Sequence, residues 1–220
     1  CRNETAAGSC YQYRSYSKSP EETVTVMKNL ITVKELDFVY PDGTPALFDI
    51  DLEIGEKEFI ALIGQNGSGK TTFSKCLNGL FKPTKGSVIV DDLDTKQKGI
   101  IKQLVTKVGY VFQNPDHQLF NRSVWAEIAY GPKNIGLLED DIEERVLEAA
   151  QVAGVHEGVF DTHPYFLDKG LRQRVAIASI LAMRPKTIIV DEPTTGQDVR
   201  QSIEVMKFLQ RLREEEGHTV

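Results

Sequence analysis

The run "GQNGSGKT", Gly64 to Thr71, has the spacing G-x-x-x-x-G-K-[ST] and sits between an apolar stretch, "EFIALI", and a helical pattern. These residue types suit one task. Glycines at 64, 67 and 69 let the backbone curl until its N–H groups point inward, and the start of a helix adds positive potential at the same place. Lys70 supplies a point charge for β- and γ-phosphates, and the Thr71 hydroxyl suits Mg2+. The motif therefore predicts a nucleoside-triphosphate cradle made of Gly64, Gln65, Asn66, Gly67, Ser68, Gly69, Lys70, Thr71 and Thr72. A second run, "TIIVDE" from Thr187 to Glu192, ends an apolar strand in two acids. Such a strand end means little alone. Beside the loop, Asp191 is placed to hold the Mg2+ hydration shell, and Glu192 to orient or deprotonate an attacking water.

Residues this far apart in sequence must be brought together by a sheet. From Leu30 the pattern is β-rich: "ITVKELDFVY", a turn at Pro41-Asp42-Gly43, then "ALFDIDLEI" and, after Gly55, "EFIALIG". A helix is expected from Lys70, with Phe73, Leu77 and Leu80 facing a core. "GSVIVDD", "KVGYVF" and "TIIVD" read as further strands, and apolar runs without alternation fit strands covered on both faces. Between 114 and 183 the pattern is mainly helical: Ser123 caps "VWAEIAYG", Ile142 to Ala153 is amphipathic, and Leu171 to Met183 is a long apolar helix. A last helix, Val199 to Glu216, carries Ile203, Met206, Leu209 and Leu212 on one side. The expected architecture is α/β, a P-loop NTPase with a mainly parallel sheet, an N-terminal antiparallel β lobe and a helical insertion at about 114–183. Residues 1–29 are polar and without periodicity, which suits a linker or disordered lead-in to a domain over 30–220.

Composition narrows the function classes. Apolar residues at 40% and charged residues at 26% are ordinary for a globular protein, and no apolar run reaches the length of a membrane span. A net charge of -6 argues against a dominant nucleic-acid surface, so no nucleic-acid partner is expected. Cys1, Cys10 and Cys76 have neither metal-ligand nor disulfide spacing, and Cys76 falls on an apolar helix face. His117, His156 and His163 show no ligand spacing and read as surface or packing residues.

Taken in order, "GQNGSGKTT", "YVFQNPDHQLF", "LDKGLRQRVAIASILAMRP" and "TIIVDEPTTGQD" resemble the nucleotide-binding domain of ABC transporters, nearest the ATPase of energy-coupling-factor importers for vitamins and transition-metal ions. The resemblance runs from Leu30 to the last residue, and "NPDHQLF" and "TTGQD" carry the importer likeness. It implies a peripheral subunit at the cytoplasmic face of a membrane, binding ATP and Mg2+, hydrolysing ATP as two such domains close and part, and driving transmembrane importer subunits. The second domain could be identical, separate or fused. By position, Tyr40 matches the aromatic that stacks on adenine, Gln113 the glutamine that reaches Mg2+ and water, and Asp198 an aspartate that contacts the opposite domain. Asn114 to Phe120 match the segment that docks the membrane partner. The resemblance thus makes Glu192, Lys70 and Gln113 catalytic, and Thr71, Gln113 and Asp191 the residues facing the metal. The family's switch histidine follows its last strand and is expected beyond residue 220, the sequence being read as part of a longer chain; His218 is read as an end cap of the last helix. Rival classes are an ABC ATPase of DNA maintenance or of ribosomes, and a nucleotide-binding regulatory module that never hydrolyses. The DNA-maintenance class needs long heptad arrays between loop and clamp, and this sequence has no sustained heptads there.

One motif departs from the family. Its clamp, Leu-Ser-Gly-Gly-Gln, caps ATP held by the opposite domain; here the positions are Leu167, Asp168, Lys169, Gly170 and Leu171, while "RQRVAIA" keeps the alignment. Asp is as good a helix N-cap as Ser. As a phosphate ligand it is not equivalent, because a carboxylate about 4 Å from a γ-phosphate is repelled by about 4 kcal/mol per unit charge at an effective dielectric near 20. Two readings follow: Asp168 caps its own helix while Lys169 replaces the missing ligand, or the clamp formed with Gly170 and, across the interface, Asp198 is weak and the dimer is functionally asymmetric.

Overall fold

The computed structural model describes residues 29–195 and 198–220; the lead-in read over 1–29 lies outside the described residues but for Asn29, which already opens a strand. Strands β1 (Asn29–Val39) and β2 (Pro45–Gly55) form an antiparallel hairpin. The turn between them is closed by Gly43 N–H on Tyr40 O at 2.9 Å and by the Asp42 carboxylate on Thr44 N–H at 2.9 Å, the Asx device that favours this residue type. The ladder is irregular near Glu35 and Asp49, both at positive φ. Their freed N–H groups go to carboxylates, Glu35 N to Asp51 at 2.8 Å and Asp49 N to Asp37 at 2.7 Å, so the bulges leave no orphan donors.

Helix α1 (Lys70–Leu77) lays Phe73, Cys76 and Leu77 against this sheet, and burial pushes the Cys76 thiol up to about 12. Leu80, expected on the same face, lies beyond the cap residue Asn78 and is exposed, because the helix ends a turn early. β3 (Lys85–Val90) pairs antiparallel on the free side of β1, and β4 (Leu93–Asp94) on β3, giving the order β2-β1-β3-β4. Gly86 is obligatory there: at φ 70° an added Cβ would lie 2.1 Å from Glu35 O.

A short helix, α2 (Ile101–Leu104), leads into β5 (Val108–Val111), followed by α3 (Val124–Ile135), α4 (Glu139–Ala153), α5 (Lys169–Leu181), β6 (Thr187–Val190) and α6 (Val199–Glu214). Ser123 caps α3 as expected, accepting Ala126 N–H at 3.2 Å. β5 and β6 are parallel, and Thr219 extends that sheet with a parallel bridge to Thr187. Helices α3, α4 and α5 pack on one another and share a core with both strands and with Leu209 and Leu212 of α6. Ile203 and Met206, expected on that same α6 face, are exposed. Among the described residues no helix is long and apolar enough to cross a membrane.

The two sheets are stitched by Asp91, at the end of β3, whose side chain is 8% exposed. It receives Lys107 at 2.6 Å and Lys186 at 3.3 Å, the residues just before β5 and β6. The expected strand over 58–64 is not built as one. Glu58 and Ile60 exchange hydrogen bonds with Val220, which brings the next rung of the parallel sheet to 58–60. Residues 61–64 have no ladder bond among the described residues, and Ile63 is 82% exposed. The reason is that a strand persists only where a neighbour satisfies its backbone groups. Next to this rung, the His218 backbone N–H closes on Leu212 O at 3.0 Å, as an end cap of α6 should, while its ring goes elsewhere, Nδ1 lying 2.8 Å from Pro185 O. A neutral ring donates to that carbonyl.

Burial lowers the His218 pKa against smaller opposing effects from Pro185 O and Glu216. The unfolded chain then binds more protons than the native one, so this contribution is complete above an unfolded pKa of about 6.5 and is lost as pH falls below it. Thermal melts from pH 8 to pH 5 should show a fall in Tm that is smaller in His218→Gln; equal slopes would contradict the assignment.

Candidate functional site

Residues 64–71 form the expected loop. Gly67 and Gly69 take positive φ, 80° and 91°, and Gly69 also lies against β2, where an added Cβ would be 2.9 Å from Ala46 O. Lys70 turns back across the loop, its Nζ donating to Gly64 O and Gln65 O at 2.9 Å each, so the ammonium stands at the loop's centre. Asn66 and Gly67 are exposed at the rim, and Ser68 N–H closes on Gln65 O at 3.2 Å. Thr72 is buried, and its hydroxyl pairs with Tyr40 Oη at 2.6 Å. Tyr40 is thereby set beside the loop, in a cluster with Phe38 and Phe81 (centroids 5.1 and 5.8 Å away).

Across from the loop, Thr71 Oγ1 lies 3.3 Å from Asp191 Oδ1, a long contact that nevertheless puts the carboxylate at the first turn of α1. The Asp191 backbone N–H reaches Val111 O at 3.1 Å. Its other side-chain oxygen, Oδ2, accepts from the Tyr110 hydroxyl at 2.8 Å. Burial and then the Asp191 carboxylate raise the Tyr110 pKa well above the ordinary phenol range, so this group is a donor at every physiological pH. Glu192, next along, sits at φ 46°, a left-handed conformation that costs of order 1–3 kcal/mol in a non-glycine residue. Its Oε2 accepts from Gln113 Nε2 at 2.8 Å and from Thr195 Oγ1 at 3.0 Å. The structure thus brings Lys70, Thr71, Gln113, Asp191 and Glu192 together.

The donor set fits Mg2+, which prefers hard oxygen ligands and is usually held by one or two carboxylates with water and substrate phosphates. Thr71 and Asp191 provide such oxygens side by side. Gln113 fits only through its carbonyl oxygen, because its NH2 is committed to Glu192. No cluster of three metal-ligating His, Cys, Asp or Glu side chains exists among the described residues.

The clamp positions are elsewhere on the surface. Asp168 accepts Leu171 N–H at 2.9 Å through Oδ1 and is the N-cap of α5, so the capping expectation holds. Lys169 and Gly170 are exposed on the first turn. Asp198 precedes α6 and its carbonyl accepts Ser202 N–H at 2.9 Å; Gly196 and Gln197 of "TTGQD" lie outside the described residues. His156 and His163 cap short turns at Gly158 and Tyr165.

Several contributing residues have no individual role that the motifs name. In the loop after β5, Asn114 Oδ1 accepts Asp116 N–H at 3.1 Å. Gln118 Nε2 donates to Ala176 O of α5 at 2.7 Å. Arg172, in the first turn of α5, pairs with Asp116 at 2.8 Å, a close ion pair without linear hydrogen-bond geometry. Glu127, 3% exposed, accepts Phe120 and Asn121 N–H at 2.9 and 2.7 Å. Tyr110 and Glu127 also stand out by their neighbours, one a tyrosine inside the apolar run "KVGYV", the other an acid on the apolar face of "VWAEIAYG".

A family model described as ABC transporter matches residues 47–195. A protein of Caldanaerobacter subterraneus named as an ABC transporter ATP-binding protein is 51% identical over 191 residues, covering 87% of this chain and 33% of its own length. The energy-coupling factor transporter ATP-binding protein EcfA2 of the same organism is 43% identical over 189 residues, covering 84% of this chain and 66% of its own. Among solved structures, CbiO1 of Clostridium perfringens, part of the ABC transporter complex CbiONQ, superposes with a TM-score of 0.77 at 39% identity, over 87% of this chain and 76% of that one. The dimeric ATP-binding cassette MJ0796, bound to ADP and Pi, gives 0.75 at 30% identity, over 86% and 85%. The chain therefore spans between a third and two thirds of the length of these two curated relatives. With the loop, the strand-end acids and the fold agreeing, the chain belongs to the ABC transporter family and carries that family's ATP-binding fold.

Proposed function

We propose that this chain binds and hydrolyses ATP, with Mg2+, as the peripheral motor of an energy-coupling-factor importer. The observation that carries this reading is the convergence of the Lys70 loop with the Asp191–Glu192 strand end, at the Thr71–Asp191 contact of 3.3 Å. Loop amides and Lys70 bind the triphosphate, Tyr40 meets the base, and Thr71 and Asp191 hold Mg2+, which when bound neutralises charge on the phosphate oxygens. Glu192, steadied by Gln113, orients the water and takes its proton. The water oxygen bonds to the γ-phosphorus as the bond to the bridging oxygen breaks, and phosphate leaves from ADP.

Two such domains close around ATP and part after hydrolysis. The partner domain is a second copy, a separate subunit or a fused one, and the 51% identical relative is long enough to hold another such domain in one chain. The membrane subunit docks at Asn114 to Phe120, where Phe120 and Tyr130 form an exposed aromatic pair with centroids 4.8 Å apart. Placement at the cytoplasmic membrane face, and a domain over 30–220 with its helical part at about 114–183, belong to the same proposal. In the complete transporter, Glu192→Gln should lower ATP turnover at least about a hundredfold while ATP affinity stays within a few fold. Wild-type protein that binds ATP without turnover would favour the regulatory module instead.

The clamp supports an asymmetric dimer. With Asp168 standing where the family has serine, and its Oδ1 on Leu171 N–H, this domain offers no hydroxyl to the ATP of its partner. The double change Asp168→Ser with Lys169→Gly should raise turnover at the partner's site and leave this domain's own site unchanged, read by inactivating each site in turn. Unaltered partner-site turnover would instead assign the ligand role to Lys169.

A further inference from the structure

We propose that Tyr110 is a positioning residue of the magnesium site: its hydroxyl holds one oxygen of Asp191 so that the other is presented to Thr71 and the cation. The inference rests on the nucleotide reading above and adds to it a residue that touches neither nucleotide nor metal.

The strand itself poses the question. All of β5 is buried, from Val108 to Val111, and Tyr110 is 6% exposed. Phenylalanine would fill the same space with no polar group to satisfy, so a hydroxyl is tolerated here only because it has a partner. The partner is Asp191 Oδ2 at 2.8 Å, one residue beyond the end of β6, reached across the β5–β6 ladder in which Tyr110 stands opposite Ile189.

The division of the carboxylate gives this bond its meaning. The Asp191 backbone is held by Val111 O. What remains free is the side-chain rotation that sets the plane of the carboxylate, and the wells of its terminal torsion are broad. A phenol donating to Oδ2 fixes that plane and keeps the opposite oxygen, Oδ1, turned to the loop, 3.3 Å from Thr71 Oγ1. The donor is itself immobilised, its ring edge-to-face with Phe112 at 5.1 Å. Outer-shell donors of this kind orient metal-facing groups, and losing one typically weakens metal binding about 10–100-fold.

The experiment measures ATP affinity of the full chain and of Tyr110→Phe twice, in excess Mg2+ and in EDTA, and compares the ratio of the two affinities. In the variant the ratio should shrink toward one, by up to about tenfold, with the EDTA affinity unchanged. A merely structural pin between the strands would lower the melting temperature and move both affinities together. An unchanged ratio, or an equal loss in both conditions, overturns the inference. So does a wild-type ratio of one, with ATP still bound. Wild-type chain that fails to bind ATP at all, with or without Mg2+, overturns the nucleotide reading itself.

Discussion

The Asp191 carboxylate accepts from two residues that are remote from it in the chain, Thr71 in the first turn of α1 and Tyr110 inside β5. A triphosphate cradle needs its acids beside the loop, while the loop belongs to a helix packed on the antiparallel lobe and the acids belong to the parallel sheet. One side chain bridges that gap at the site. Much of the remaining architecture keeps this spacing. Asp91 stitches the sheets at the opposite ends of β5 and β6, through Lys107 and Lys186, so the strands are pinned where they begin as well as where they end.

The segment after β5 is the second organising element. It starts at Gln113, bonded to Glu192, and passes through Asp116, paired with Arg172 in the first turn of the clamp helix. Gln118 then fastens it to the middle of the same helix, and Glu127 anchors it at Phe120 and Asn121. One short stretch thus touches the strand-end acid, the helix of the altered clamp and an exposed aromatic pair. Displacement of its surface end would be felt at both other places, because packed elements move as bodies and do not deform continuously.

Much of this was legible from local chemistry. The glycine spacing of the loop, the Ser123 cap and the unbroken apolar runs of β5 and β6 each depend on a few neighbouring residues, and all appear where expected. Asp168 is the same case: capping is decided within one turn, so the helix was readable although the motif was altered. Failures came where a distant partner decides. The run over 58–64 has strand composition, yet only 58–60 meets a neighbour, Val220. Ile203 and Met206 have the right helical spacing, but α6 meets the core through Val205, Phe208, Leu209 and Leu212 instead.

The sequence by itself determined the chemistry on offer: a lysine and a hydroxyl on a glycine-rich curl, two adjacent acids ending an apolar strand, and a clamp lacking its serine. These are properties of short segments, and backbone sterics with side-chain type suffice to read them. Only the tertiary structure decided that Asp191 turns one oxygen to Thr71 while Tyr110 takes the other, and that Arg172 pairs with the loop after β5. Those outcomes depend on contacts tens of residues apart, set by strand register and packing, which no local pattern encodes.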